Sequence, residues 1–405
     1  MTSLRLRRSP EKILLPLGFS FSALAAGIKI SGRPDLAFAE APDGASAAAL
    51  FTTNRVVAAP VEVGRAALFS SRGRVRAVLV NSGNANCATG LAGIRACERV
   101  CRGVGKILKV APSAIFPSST GIIGVPLPFE RILANLPELI AKRSASERGV
   151  HAFAGAIMTT DTRPKIGSSR FRVGTKEITL LGVAKGAGMI HPQMATMLVY
   201  LFTDVEATPG ELLRLLRQAS DESLNCISID GDTSTNDTAL LLASGASGVR
   251  LKKVAKKFAG ALRSVCQSLA EQIVSDGEGV QHVIRLHIQK ARSRDEAMAV
   301  ARTIAHSALV KTAWAGADPN WGRILAAVGR SGIAVNPAQV QIFIGEQRVC
   351  RNGVACTFDE RDAHRALAEP ACDVRVVLGR GRESAKFLTT DLTAEYVRIN
   401  ADYST

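Results

Sequence analysis

The residue best placed for chemistry in this sequence is a threonine at a junction. Thr196 follows KGAGMIHPQMA (185–195), where Gly186, Gly188 and Ala195 give a small-residue, flexible approach. It precedes an apolar run, 197–202, that reads as a buried strand. Two readings are open. Threonine is an ordinary strand residue. Alternatively, the chain is cut between Ala195 and Thr196, and Thr196 begins a new chain. A hydroxyl is a weak nucleophile without a base. The α-amine freed by such a cut is a base of pKa about 8 within reach of its own side chain.

Other chemistries lack their residues. The six histidines form no HExxH pair, and no Ser, His and Asp stand at nucleophile-elbow spacing. KGAGMIH lacks the third glycine of a dinucleotide loop, and no Walker lysine pattern occurs. DGDTSTND (230–237) opens like a calcium loop but lacks the mid-loop glycine and the closing glutamate. It reads as a polar turn or as a hydrogen-bond network behind a site. His191 reads as a solvated loop residue. Cys97 and Cys101 are four apart in a helical segment and read as small helix residues rather than metal ligands. Neither a metal nor a cofactor is expected.

What remains is a set of dense polar clusters in an otherwise apolar chain: NSGNAN (81–86), PSSTGIIG (117–124), MTTDT (158–162), DGDTSTND, DGEG (276–279), GADPNWGR (316–323) and INADYST (399–405). One cluster is a turn, but seven suggest loops converging on a shared polar site.

The elements that must position these loops are mixed. VRAVLVNSG and KEITLLGVAKG have strand character, as do VQIFI and VRVVLG nearer the C-terminus. The sequence AGIKISGRPDLAFAEA reads as a strand, a turn and another strand. Helical patterns cover 91–110, the stretch after Pro128 in LPFERILANLPELIAKRSAS, DEAMAVARTIAHSALVKTAW read as one helix, and RDAHRALAEP. In TPGELLRLLRQASDESLN, Thr208 and Pro209 supply N-cap and N1 signals. Strands and helices alternate irregularly, without internal repeats, so the class is α/β or α+β.

Composition agrees with a globular protein. The chain has 405 residues, 47% hydrophobic and 21% charged. Aromatics make up only 5%, which predicts a core of mainly Ala, Val, Leu and Ile. Eight cysteines without a CxxC pair fit a reducing compartment, the cytoplasm. The net charge of +16 favours acidic ligands but is spread, and the densest run, LKKVAKKF (251–258), has the spacing of an amphipathic helix. No basic stripe interleaved with aromatics is present, so nucleic acid is not an expected partner. The N-terminus imitates a signal peptide, with MTSLRLRRSPEK before ILLPLGFSFSALAAG, but Pro16 and Gly18 interrupt the apolar run. No other stretch has membrane-spanning length, so no membrane association is expected.

The motifs KGAGMIHPQMATML, IMTTDT, SSTGIIG, NCISIDGDTSTND, GADPNWGR and YVRINADYST together resemble the ornithine acetyltransferase family, the bifunctional ArgJ proteins of arginine biosynthesis. The resemblance runs from about Pro16 to Thr405. It implies an N-terminal-nucleophile-like layered fold, with mixed sheets covered by helices. It implies self-cleavage into an α chain, 1–195, and a β chain, 196–405, beginning at the nucleophile Thr196. The family's oxyanion-hole pair falls on Thr120 and Gly121. Its substrate-binding residues fall on Thr159, Lys185, Thr196, Glu278, Asn400 and Thr405. The implied reaction moves acetyl from N2-acetylornithine to glutamate through an acetyl-threonine, with acetyl-CoA open as a second donor. The implied assembly is a heterotetramer of two α and two β chains. After GEG the family usually carries Ala-Thr-Lys, where this chain has Val280, Gln281 and His282. A related self-cleaving aminopeptidase would share the nucleophile and release its acyl group to water.

Overall fold

A computed structural model describes residues 12–191 and 197–402. The two residues of the proposed cleavage site, Ala195 and Thr196, lie outside the described residues, as does Thr405.

Among the described residues two mixed sheets carry the fold. The strands of the first are β1 (Ser20–Leu24), β2 (Leu36–Phe51), β3 (Arg74–Asn84), β4 (Ile115–Ile122), β5 (Lys165–Val173), β6 (Lys176–Lys185), β7 (Leu198–Thr203) and β9 (Thr238–Ala243), with β8 (Ile227–Ser228) belonging to the second. The first sheet runs β4-β3-β2-β9-β7-β6-β5, and β1 pairs with one end of β2. The second contains β10 (Val283–Ala291), β11 (Gln341–Ile344), β12 (Gln347–Arg351), β13 (Val354–Ala355), β14 (Ala371–Val377) and β15 (Glu383–Thr390), in the order β13-β12-β11-β14-β10-β15-β8. The expected class, mixed sheets covered by helices, is what the chain forms.

The run after Thr196 becomes β7, whose six residues are all buried. A strand buried on both faces reads as a continuous apolar run, because neither face meets water. One face of the first sheet packs on the helices Pro209–Asp221 and Ala255–Val274, with Val199, Leu201, Leu212, Phe258 and Leu262 in one cluster. The other face packs on the helix Glu147–Ala156 through Phe153, Tyr200 and Phe202. The core is mainly Ala, Val, Leu and Ile, as expected, and this face adds a group of aromatics. Phe21 and Phe202 meet edge to face at 5.0 Å and Phe153 and Tyr200 at 5.5 Å. Such pairs each contribute about 0.5–1.5 kcal/mol beyond their burial. The helices Arg294–Ala305, Ala308–Ala315 and Trp321–Gly329 cover the second sheet around Trp314.

Local signals explain most boundaries. Thr208 caps Pro209–Asp221 in a full capping box with Glu211. Residues 91–110 form the helix Gly90–Leu108, in which Cys97 and Cys101 are buried. Three readings need correction. The stretch 294–315 is two helices, separated at His306 and Ser307, because His306 turns inward to meet Ser228. The stretch after Pro128 ends at Ala141, and Ser146 caps a separate helix by accepting from Gly149 N. The first strand near the N-terminus is Ser20–Leu24, not the following AGIKIS. There Asp35 accepts the amides of Ala26, Ile28 and Lys29 and holds the chain in a turn. No described helix is long and apolar enough to cross a membrane.

Candidate functional site

The first sheet brings the ends of five strands to one edge. β3 and β4 are parallel, with Ser82 opposite Thr120 and Gly83 opposite Gly121. Lys185, the last residue of β6, pairs with Leu198, the first of β7, and Leu198 pairs with Thr238 at the start of β9. Chain termini of strands and the loops between them thus meet at this edge, and a cavity of about 240 Å³ opens there.

Six of the seven polar clusters reach the cavity. Its walls include Ala85, Thr120, Gly121, Thr159, Lys185, Glu278 and Asn400, with Asp230 and Asp237 from the DGDTSTND loop. Every described residue proposed for the site from the sequence is therefore in one place. Met197, next in sequence to Thr196, also lines the wall. GADPNWGR is the exception. Asn320 there caps the helix Trp321–Gly329 by accepting from Arg323 N, so the cluster serves a helix start instead.

The backbone at Thr120 and Gly121 leaves little freedom. Gly121 has φ +132, and a Cβ there would lie 2.5 Å from Asn84 N and 2.7 Å from Gly83 Cα. Only glycine fits that close approach of β4 to β3. Thr120 is 8% exposed, and its Oγ1 accepts a hydrogen bond from Lys185 Nζ at 3.1 Å. The hydroxyl proton of Thr120 is then free to point elsewhere, because that oxygen already serves as acceptor.

Charge in the cavity is tightly arranged. Burial lowers the Lys185 pKa, while Asp161 and Asp237 pull it back up. Burial pushes Asp161 up, but Lys165 and Lys185, with hydrogen bonds from Lys165 and Gly186 N, bring it down to about 2. Burial pushes Asp237 well above the carboxylate range, with Lys185 opposing. Asp230 is also raised by burial, although it accepts Met189 N at 2.6 Å and Ile190 N at 2.8 Å. DGDTSTND is thus the hydrogen-bond network behind a site that the sequence suggested. Asn236 completes it by donating to Ala85 O and Ser119 O, tying the loop to β3 and β4.

Glu278 follows the helix Ala255–Val274. Its amide donates to Ala187 O at 2.9 Å, and its Oε2 accepts from Asn400 Nδ2 at 2.9 Å. Asn400 is on the helix Ala394–Asp402 rather than in an unstructured tail. Thr393 Oγ1 fastens the start of that helix to Gly279 O. The departure at 280–282 has a local explanation. Asp391 accepts the amides of Gln281 and His282 and also contacts His282 Nδ1 at 2.9 Å, so these residues anchor the segment leading into the C-terminal helix. His191 is half-buried with its ring on His306 at 4.3 Å, which corrects its reading as a solvated loop residue.

Sequence reasoning missed Tyr396, whose hydroxyl donates to Asp230 Oδ2 at 3.4 Å, and Lys165, which lies beneath the site. A tyrosine one helical turn before Asn400 is a signal visible in YVRIN. No such signal marks Lys165. Among the described residues no His, Cys, Asp and Glu group is arranged to hold a metal ion.

The chain matches the ArgJ family over residues 20–405. It belongs to the ArgJ family. The arginine biosynthesis bifunctional protein ArgJ of Methylococcus capsulatus is 44% identical over 394 residues, covering 96% of this chain and 95% of that protein. The ArgJ protein of Geobacter sulfurreducens is 43% identical over 393 residues, covering 96% and 99%. A crystal structure of the ArgJ protein of Bacillus halodurans is similar at 37% identity and a TM-score of 0.42, over 44% of this chain and 92% of that one. The matched span includes every cluster at the cavity. The enzyme class that the motifs resemble, an arginine-biosynthesis enzyme of the ornithine acetyltransferase type, therefore stands.

Proposed function

We propose that the chain cuts itself between Ala195 and Thr196 and then carries acetyl from N2-acetylornithine to glutamate on Thr196. The observation that carries this reading is the cavity at the head of β7. It gathers Thr120, Gly121, Thr159, Lys185, Glu278 and Asn400, six positions scattered from residue 120 to residue 400, beside Met197.

In the precursor, Thr196 Oγ attacks the Ala195 carbonyl. The peptide C–N bond breaks as an ester forms, freeing the Thr196 α-amine, which takes the Oγ proton, and water then hydrolyses the ester to the Ala195 carboxylate and the Thr196 hydroxyl, leaving chains 1–195 and 196–405. In the mature enzyme that amine takes the Oγ proton as Oγ attacks the acetyl carbonyl of acetylornithine. The tetrahedral oxyanion is held by the Thr120 hydroxyl and the Gly121 amide, a kind of donor whose loss lowers rate about 10²–10³-fold. The amide C–N bond breaks, the proton passes to the departing ornithine amine, and acetyl-Thr196 remains. The neutral amine of glutamate attacks that ester, and Oγ recovers its proton. Lys185 pairs with a substrate carboxylate and Glu278 with an ammonium. Thr159, Asn400 and Thr405 supply further polar contacts. Acetyl-CoA is a second donor open to test, and the assembly is two copies of each chain.

The deciding experiment is the mass of the purified protein followed by acetyl exchange. Two fragments with the second starting at Thr196, acetylglutamate as product, and parallel double-reciprocal plots are expected. Thr196→Ala remains one chain. Cleavage of that variant at the same bond would assign the cut to a protease. Release of free acetate in place of acetylglutamate would assign the chain to the hydrolases.

A further inference from the structure

Beneath the cavity lies a charged cluster that the reaction scheme does not use. Lys165, the first residue of β5, is fully buried. Its Nζ donates to Asp161 Oδ1 at 2.5 Å, to Asp276 Oδ2 at 2.6 Å and to Arg163 O at 3.4 Å. Asp161 and Asp276 are themselves buried, at 5% and 6% exposure. An ammonium in such a place is expensive to desolvate, and two carboxylates with a carbonyl offset that loss.

Each carboxylate also holds backbone belonging to the cavity. Asp161 Oδ2 accepts from Thr159 N at 3.0 Å, and Asp161 Oδ1 accepts from Gly186 N at 2.7 Å. One carboxylate thus ties Thr159 to the residue after Lys185. Asp276 accepts from the amide and hydroxyl of Thr162 and is two residues from Glu278. Glu278 N in turn donates to Ala187 O at 2.9 Å. Three segments far apart in sequence, 158–162, 185–188 and 276–278, are therefore joined through one ammonium. Gln272 braces the same point, accepting from Ile166 N at 3.2 Å and donating to Ile166 O at 2.9 Å.

We propose that Lys165 is a positioning residue for acetyl transfer, fixing Thr159, Lys185 and Glu278 at the spacing that receives the amino-acid substrate. This inference rests on the substrate-binding roles given to those three residues above. A bound α-amino acid presents a carboxylate and an ammonium at fixed separation, so a cation at Lys185 and an anion at Glu278 serve only while their distance is held. Lys165 touches neither the cavity nor the reacting atoms, and its effect travels through Asp161 and Asp276.

The test is built to separate positioning from folding. Lys165→Met alone strands two buried carboxylates and is expected to unfold. Lys165→Met with Asp276→Asn removes the cation and one anion together, and Asp276→Asn alone weakens the link toward Glu278 and Thr162 while leaving Lys165 on Asp161. Each protein is measured for melting, for the cleaved fraction, and for kcat per cleaved chain and KM with acetylornithine and glutamate. The expected result is a KM raised about tenfold or more, a loss of about 1.4 kcal/mol in binding, in Asp276→Asn and in the double variant where it folds, with kcat changed less. An unchanged KM in Asp276→Asn overturns the proposal, whatever happens to melting or kcat, because a purely structural role lowers the active fraction and leaves KM alone. The unmodified enzyme is the control for the functional reading. If it transfers no acetyl, that reading fails and this inference with it. If it transfers acetyl while Asp276→Asn keeps the parent KM, only the inference fails.

Discussion

The Glu278 carboxylate rests on Gly188, so closely that a Cβ at position 188 would overlap Oε2 and lie 2.6 Å from Oε1. The absence of a side chain at Gly188 is what lets Glu278 fold over the loop and meet Asn400. Gly188→Ala should push the carboxylate away and break the Asn400 hydrogen bond. A hydrogen bond to a charged group is worth about 1.5–3 kcal/mol, so KM for acetylornithine should rise about 10- to 100-fold. Gly155→Ala is the control, because a Cβ there meets nothing within 4 Å. Steady-state kinetics on the two variants check this, and equal KM values would show that Glu278 is not held by this contact.

A second prediction concerns pH. In the proposed reaction Lys185 pairs with a substrate carboxylate as an ammonium, and burial lowers its pKa below that of a free lysine. The ammonium is present below that pKa and lost above it. Substrate binding should therefore weaken at alkaline pH sooner than an exposed lysine would require. Asp161 is the foremost charge raising the Lys185 pKa. Asp161→Asn should then move the alkaline limb of kcat/KM to lower pH. A limb that stays in place would remove Lys185 as the group responsible.

His306 makes a third prediction, about stability. Burial lowers its pKa to about 4, with His191 and Lys311 adding to the effect. Its Nε2 lies 3.0 Å from Ser228 Oγ. The unfolded chain binds a proton near the ordinary histidine pKa, and the folded chain does so only near 4. The neutral ring thus leaves stability intact above about pH 6.5, and stability falls as pH drops from there toward 4. After discounting for the partly exposed ring, the loss is on the order of 1–3 kcal/mol. Denaturant melts of His306→Gln between pH 4 and 7 should show a shallower decline than the parent. Parallel declines would mean that another group governs acid stability.

The sequence shows the parts of this site unevenly, for physical reasons. PSSTGIIG was legible as a polar cluster because strand ends are marked by glycine and small polar residues, but Thr120, Gly121 and Lys185 were singled out only through the family resemblance, since a lone Lys185 reads as a solvated loop residue. β7 was legible because a doubly buried strand is a continuous apolar run. Lys165 was not, because nothing in TRPKIG distinguishes a buried lysine from a solvated one. Its role depends on Asp161 and Asp276, and the latter is 111 residues away. The split of 294–315 into two helices was hidden for a similar reason. His306 breaks the helix by packing on Ser228, a contact between residues 78 apart, while the local pattern continues through it. GADPNWGR looked like a site loop because helix caps and site loops use the same residues, Asn, Asp and Gly.

The last prediction concerns the far C-terminus, where Tyr403, Ser404 and Thr405 lie outside the described residues. Terminal residues usually tolerate removal, yet here the helix before them is fixed at the cavity. Thr393 Oγ1 holds Gly279 O at 2.7 Å, Tyr396 reaches Asp230, and Asn400 Nδ2 donates to Glu278 Oε2 at 2.9 Å. The described anchors all precede position 403, so deleting 403–405 should leave folding and self-cleavage intact. It should raise KM or lower turnover for acetylornithine about tenfold or more, or ~1.4 kcal/mol. Kinetics of the truncated enzyme, beside a gel that confirms its cleavage, decide the matter. Parent kinetics in that protein would withdraw Thr405 from the site and leave Asn400, held by Glu278, as the last residue of the chain that substrate meets.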